Sequence, residues 1–267
     1  MPNSGDWEKK TINYKDTNEP WYFFYFYPPK IDNDNIDWSK GDSASSAIRS
    51  QLEAYRRTYA IKFVSRNGVG SINTSILIVG GGGSGGGSKT GGYGAGGGGG
   101  GEVKDLTWNI GNRSVINVGI GHGHIHEDKA GLSNGRTGWG TKINLPTSGG
   151  HSSWNAGPGY GGYAYAHSHD GRGGLSGNGN NGGSHNSGAG PGGGGSSGGG
   201  HNSWSTSSHN YGGNGGNGIT WIDNQGYGGG GGGGSWYTQT NGKGVHGGGD
   251  GGRFDWWGRY ASSHCTS

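Results

Sequence analysis

Cysteine is nearly absent. Cys265 is the only one in 267 residues, so no internal disulfide framework can hold the chain together. Proline is scarce as well, with 7 against 71 glycines, which excludes the strict repeat of collagen. Apolar residues make up 27%, too few for an ordinary hydrophobic core at this length. Charge is sparse and balanced. With 14% charged residues and a formal net charge of +3, neither nucleic acid nor an anionic membrane is demanded as partner. The longest aliphatic run, 76–79, is far too short to span a bilayer, so no membrane insertion is expected. The opening MPNSGDWEKK has no apolar stretch, and no signal peptide is read there.

What is abundant is glycine, together with aromatic residues. Between Gly80 and Gly252 the chain returns again and again to GGGGSGGGS, GAGGGGGG, GPGYGG, GPGGGGSSGGG, GGNGGNG, GGGGGGG and GGGDGG. Short inserts rich in Trp, Tyr, His, Asn and Ser separate these blocks. Composition alone suggests disorder, but 11 Trp and 14 Tyr are many for a chain that never packs. A flexible linker has no reason to carry tryptophan at intervals, whereas a glycine scaffold that displays aromatic loops does.

Three parts follow one another: 1–73 of ordinary composition, a glycine-rich region 74–252, and an aromatic tail 253–267. The first part reads as a small α+β domain. WYFFYFY is a strand-like aromatic run stopped by Pro28 and Pro29. Asp42 or Ser43 can cap a helix with Ala44, Ala47, Ile48, Leu52 and Tyr55 on one face. Tyr59, Ile61 and Phe63 alternate like a following strand. Two readings of Trp21, Tyr22, Phe24 and Phe26 stand side by side: core of a small domain, or a surface that grips another protein. INTSILIVGGGG passes from an aliphatic strand straight into glycine, TWNIGNRSVINVG reads as a hairpin, and GTKINLP adds an alternating segment.

Ordering glycine costs more backbone entropy than ordering any other residue, so a glycine run needs something to hold it. An extended helix of the polyproline II type, with three residues per turn, turns its amides and carbonyls outward. Without side chains, neighbouring helices can approach and bond laterally, which satisfies the backbone. Asn214 and Asn217 in GGNGGNG, and Asp250 and Arg253, carry the matching spacing of three. The expected fold is therefore a small α+β N-terminal domain followed by a polyglycine II helix sandwich with a β-hairpin insertion and variable loops.

The inserts YAYAHSHD, HNSWSTSSHNY and SWYTQT resemble a binding surface in composition, with rigid aromatics for area and small polar residues for adaptable hydrogen bonds. Counting each glycine block as one antiparallel rod places 88–90, 124–130, 163–170, 201–211 and 235–241 at one end of the stack. The segments 102–118, 141–156, 184–187 and 219–225 fall at the other. The first set nominates Tyr163, Tyr165, His167, His169, Trp204, His209, Trp236 and Tyr237 as the residues that touch a target.

On the strength of ILIVGGGGSGGG, the later GGGGGGEV and INVGIG, GGNGGNG and the blocks separated by dissimilar inserts, 75–252 resembles the glycine-rich adhesins at the tips of bacteriophage long tail fibres. That resemblance implies a non-enzymatic virion protein at the distal tip of a tail fibre. It further implies an N-terminal attachment domain docked on a trimeric tail-fibre protein, and distal loops that bind a bacterial outer-membrane protein or a surface glycan. Residues 1–73 do not match the attachment domain of those proteins. The rival readings are a structural glycine-rich protein and an ice-binding one.

Other motifs carry less. HGHIH sets His122, His124 and His126 on one side of an extended segment, yet reads as an exposed polar edge, and no metal or cofactor is expected. HSHD at 167–170 is treated alike. GxGxxG matches are meaningless at this glycine density, and in GSKT a serine stands where a phosphate loop needs glycine. One GRGG is too little for an RNA-binding tail. NTS and NRS are glycosylation sequons only in a secretory setting. No nucleophile, base and orienter constellation stands out.

Overall fold

The computed structural model describes residues 7–13, 20–26, 57–65, 70–87, 94–112, 114–124, 134–147, 149–164, 172–185, 188–206, 209–236, 240–254 and 260–261. The expected fold class is corrected here. Among the described residues there is no helix, and the regular elements are strands in small sheets. The helix expected around 44–55 lies outside the described residues.

The largest sheet has six strands. β1 (Trp7–Asn13), β2 (Pro20–Phe26), β3 (Arg57–Ser65), β6 (Val115–Ile120), β7 (Thr141–Thr147) and β8 (Gly150–Ala156) lie in that order, and β4 (Ser71–Val79) and β5 (Val103–Gly111) form a separate pair. The aromatic run occupies β2, where Phe24 is registered against Lys9 of β1 and Lys62 of β3. β3 continues into β6 through Ile61 opposite Ile116, and β6 into β7 through Val118 opposite Ile143. A strand buried on one face should alternate, and β7 does: Thr141, Ile143 and Leu145 are buried while Lys142 is exposed.

The chain forms two compact units, one of 1–76, 106–120 and 142–154, the other of 77–105, 121–141 and 155–267. In the first, Ile110, Ile116, Ile143 and Leu145 are buried. Trp108 Nε1 donates to the Pro146 carbonyl and Thr74 Oγ1 to the Trp108 carbonyl, each at 3.0 Å. This is conventional side-chain packing.

The second unit is built differently. Its glycine runs carry no strand ladder and are joined run to run by single hydrogen bonds that recur every third residue. The buried run 94–102 has neighbours on all sides. Gly94, Gly97 and Gly100 donate to Gly188, Pro191 and Gly194, so these two runs are parallel. Gly96, Gly99 and Glu102 donate to Tyr163, Tyr160 and Gly157, an antiparallel neighbour. Carbonyls of the same run accept from Gly80, Gly83 and Gly86, from Gly174 and Gly177, and from Gly231 and Gly234. All these bonds measure 2.8–3.1 Å.

A period of three is what an extended chain with three residues per turn produces when each edge meets a different neighbour. Such close approach tolerates no Cβ at the contact positions. One added at Gly83 would collide with the Tyr160 carbonyl, and one at Gly99 with that of Leu175. Where a side chain is buried in this stack it is small or rigid: Ser176, Ser203, Ala189 and Pro191. Outward positions keep the same period. Asn214 and Asn217 are exposed with buried glycines between them, and Tyr160 and Tyr163 of the run 157–163 are exposed with the partly buried Gly161 and the buried Gly162 between them.

At the rim, side chains stand in for missing carbonyls. Ser84 Oγ accepts from Arg136 N, Asn134 Oδ1 from Ala164 N, Asn202 Oδ1 from Ser184 N and Asn214 Oδ1 from Lys243 N, each at 2.8 Å. Glu102 Oε2 accepts from Gly157 N at 2.6 Å, and His246 Nδ1 from Gly218 N at 2.9 Å. Edge amides that would otherwise lack a protein partner are satisfied in this way.

Candidate functional site

The hydrogen-bond register fixes which end of the stack each insert leaves from. Gly80 bonds Glu102 and Gly86 bonds Gly96, so one end holds residues 80 and 102 and the other 86 and 96. Following the same bookkeeping, Gly157, Gly177, Ser196, Gly218 and Gly228 belong to the first end. Gly94, Tyr163, Arg172, Ser184, Gly188, Gly213 and Gly234 belong to the second. The residues flanking 88–93, 164–171, 185–187, 204–211 and 235–241 are therefore at the second end, as is Asn134 on the C-terminal flank of 125–133, whereas His124 on its N-terminal flank bonds at the level of Gly82.

The rod count needs correction at three blocks. Glycine blocks 171–183, 188–200 and 242–252 are not single rods, because each reverses. Gly179, in the left-handed region at φ 84°, donates to Ser176 and turns the chain at 177–180. Gly195 donates to Gly198 at 2.8 Å and turns it at 196–197. His246 and Gly247, at φ 44° and 89°, turn it between Val245 and Gly248. The first reversal brings Ser184, which opens the segment 184–187, to the second end, opposite to the count. The second restores the parity for 201–211. The third brings Gly252 back to the second end, where its carbonyl accepts from Ser235 N and Arg253 pairs with Ser235.

Four of the nominated residues fall in described segments. Tyr163 closes its run at the second end and is 51% exposed. Trp204 opens β9 (Trp204–Ser205), which pairs with β10 (Asn210–Tyr211) as a short hairpin. Its indole stacks on the Tyr211 ring with centroids 3.7 Å apart and planes 6° apart, and His209 lies tilted against the same ring at 6.2 Å. The hairpin is pinned across its mouth: Thr206 N donates to the His209 carbonyl at 2.7 Å, and His209 N to Thr206 Oγ1 at 3.0 Å. Sequence reasoning missed Tyr211, although the spacing Trp-x6-Tyr around a polar turn is the available signal for a closed aromatic pair.

Trp236 lies in β13 (Ser235–Trp236), after β11 (Ile219–Thr220) and β12 (Gly226–Tyr227) at the first end. β13 runs parallel to β14 (Arg253–Phe254), which β15 (Tyr260–Ala261) flanks on the other side. Tyr165, His167, His169 and Tyr237 lie outside the described residues. Trp21, Tyr22, Phe24 and Phe26 all sit in β2. Of HGHIH, His122 and His124 are partly buried positions in the segment 121–124, the His122 carbonyl accepting from Trp139 N and His124 N donating to the Gly82 carbonyl, while His126 lies outside the described residues. Among the described residues no group of three or more His, Cys, Asp or Glu side chains is arranged to hold a metal ion.

At the first end the hairpin of β11 and β12 is closed by Asp223, whose carboxylate accepts from Gln225 N at 2.9 Å and from the Tyr227 hydroxyl at 2.7 Å. The Tyr227 bond, chiefly, holds the Asp223 carboxyl below the usual range. Its tip carries Ile222, 72% exposed. In the first compact unit a concavity of about 510 Å³ is lined by Thr107, Trp108, Asn109 and Pro146, and by Gly111, Ser114 and Thr147, without a titratable group. With this geometry in view, comparison with protein families, curated proteins and solved structures returns no match.

Proposed function

We propose that the protein is a non-enzymatic adhesin at the distal tip of a bacteriophage tail fibre. In this reading the glycine stack presents aromatic inserts to a bacterial surface receptor, an outer-membrane protein or a surface glycan. Residues 1–73, with the aromatic strand of Trp21, Tyr22, Phe24 and Phe26, attach it to the trimeric fibre. The observation that supports the reading is that described residues bordering six inserts lie at one end of a hydrogen-bonded lattice. Loops held in advance lose less entropy on binding, and many tips on one particle add avidity to weak single contacts.

The test is binding of the fluorescently tagged full chain to a panel of Gram-negative cells, beside a variant with Trp204→Ala and Trp236→Ala. Saturable binding to some strains that the variant loses supports the proposal. Binding that survives in the variant removes these two residues from the contact surface. Absence of saturable binding to every strain counts against the adhesin and in favour of a structural or ice-binding glycine-rich protein.

A further inference from the structure

Resting on the adhesin reading, we infer that the hairpin of Trp204 and Tyr211 is a platform for an uncharged pyranose ring, so that the receptor contact at this insert is with surface glycan. Three observations converge. First, the indole of Trp204 is stacked on Tyr211 at 3.7 Å, its one ring partner of that kind among the described residues, and 51% of the residue is exposed. A flat aromatic face is electron-rich at its centre and takes up the C–H bonds that line one side of a pyranose, as weak but directional contacts.

Second, the segment 204–211 reads WSTSSHNY and contains no Lys, Arg, Asp or Glu. Its side-chain hydrogen-bonding groups are hydroxyls, an amide, an imidazole and the indole N–H, which suit neutral sugar hydroxyls and bring no fixed charge to favour a carboxylate or phosphate. Third, the platform is built before any ligand arrives. Tyr211 supports the indole from behind, and the bonds between Thr206 and His209 close the hairpin. Ser203, which precedes Trp204, is 2% exposed and anchors the strand in the stack, its amide donating to the Ser184 carbonyl. An apolar side chain of a protein receptor could also lie on an indole, and the experiment separates the two.

Cells that bind the full chain are treated either with proteinase K, which shaves surface protein, or with mild periodate, which opens vicinal diols of surface sugars. Binding isotherms are then measured for the wild type, Trp204→Ala and Trp204→Phe. The inference expects binding to survive proteinase K and to be lost after periodate. Trp204→Ala is expected to weaken binding at least tenfold, whereas Trp204→Phe keeps it within about threefold. Loss after proteinase K, with or without periodate sensitivity, overturns the glycan assignment and leaves the adhesin standing. So does a Trp204→Ala isotherm within twofold of wild type. No saturable binding to any strain overturns both together.

Discussion

The two compact units hold themselves together with different parts of the chain. Around β6 and β7 the stabilising groups are side chains: Ile110, Ile116, Ile143 and Leu145 are removed from water, and Trp108 is tied to the Pro146 carbonyl. In the stack around 94–102 the stabilising groups are the peptides themselves, bonded to neighbours every third residue, with Ser, Ala and Pro among the few side chains admitted inside. The difference teaches that a core can be made of backbone when side chains are nearly absent. Removing a methyl group harms the first kind of core, and adding one harms the second.

The sharpest test of that contrast swaps the sign of the substitution. Leu145→Ala, at a fully buried position, is expected to cost about 2–5 kcal/mol through lost transfer energy and the cavity left behind. Urea unfolding followed by tryptophan fluorescence measures it, and a cost below about 1 kcal/mol would mean that this sheet does not depend on its aliphatic core. In the stack, Gly83→Ala should cost about 3 kcal/mol, at the upper end for overpacking, because its Cβ meets the Tyr160 carbonyl. The neighbouring Gly82→Ala should stay within about 1 kcal/mol of wild type, because there the nearest atom, the Gly99 carbonyl oxygen, is 3.5 Å away. Equal effects at 82 and 83 would break the lattice account.

Rim acceptors rank next. Asn214→Ala leaves the Lys243 amide without its partner and should cost about 1 kcal/mol, since water can reach this edge. Asn214→Asp keeps an acceptor oxygen and should restore most of the loss, as thermal midpoints would report. A variant that suffers equally from Ala and Asp would assign Asn214 a different role.

The smallest effect is acid dependence. The Lys243 ammonium, 2.7 Å from Asp250, holds that carboxyl below the ordinary value of 3.8. A depressed carboxyl contributes stability above the unfolded pKa, and that contribution is lost as pH falls through the folded one. Wild type should therefore lose a small increment of thermal midpoint below about pH 4 that Lys243→Met lacks, and the increment should shrink in high salt. Identical acid profiles for the two would remove Asp250 from the rim.

Much of the arrangement was legible in the chain, and the failures are specific. β4, β5, β6 and β7 follow from aliphatic alternation, and the outward ranks of Asn214 and Asn217 from their spacing of three, but the expected β-hairpin of TWNIGNRSVINVG is corrected: β5 pairs with β4, and β6 with β3 and β7. The reversals at 177–180, 196–197 and 246–247 are not legible in the same way, although Asn178–Gly179 is a turn dipeptide, because in a field of glycine one more turn residue does not stand out. Two of these reversals cancel for the run that leads to Trp204, so the rod count and the hydrogen-bond register agree on its end, whereas a single reversal precedes Ser184 and there they differ. Tyr211 was overlooked because stacking depends on a hairpin only two residues deep on each side.

By itself the sequence determined that no disulfide, collagen repeat or ordinary oily core could organise the glycine blocks, and that any order within those blocks had to come from backbone bonding with a period of three. Those conclusions rest on composition and on the geometry of a residue without a Cβ. Only the tertiary structure decided which run lies beside which, where the chain turns back and which inserts share an end. A glycine run carries no side chain to specify its neighbour, so its partners are chosen by the register of the whole lattice rather than by anything local.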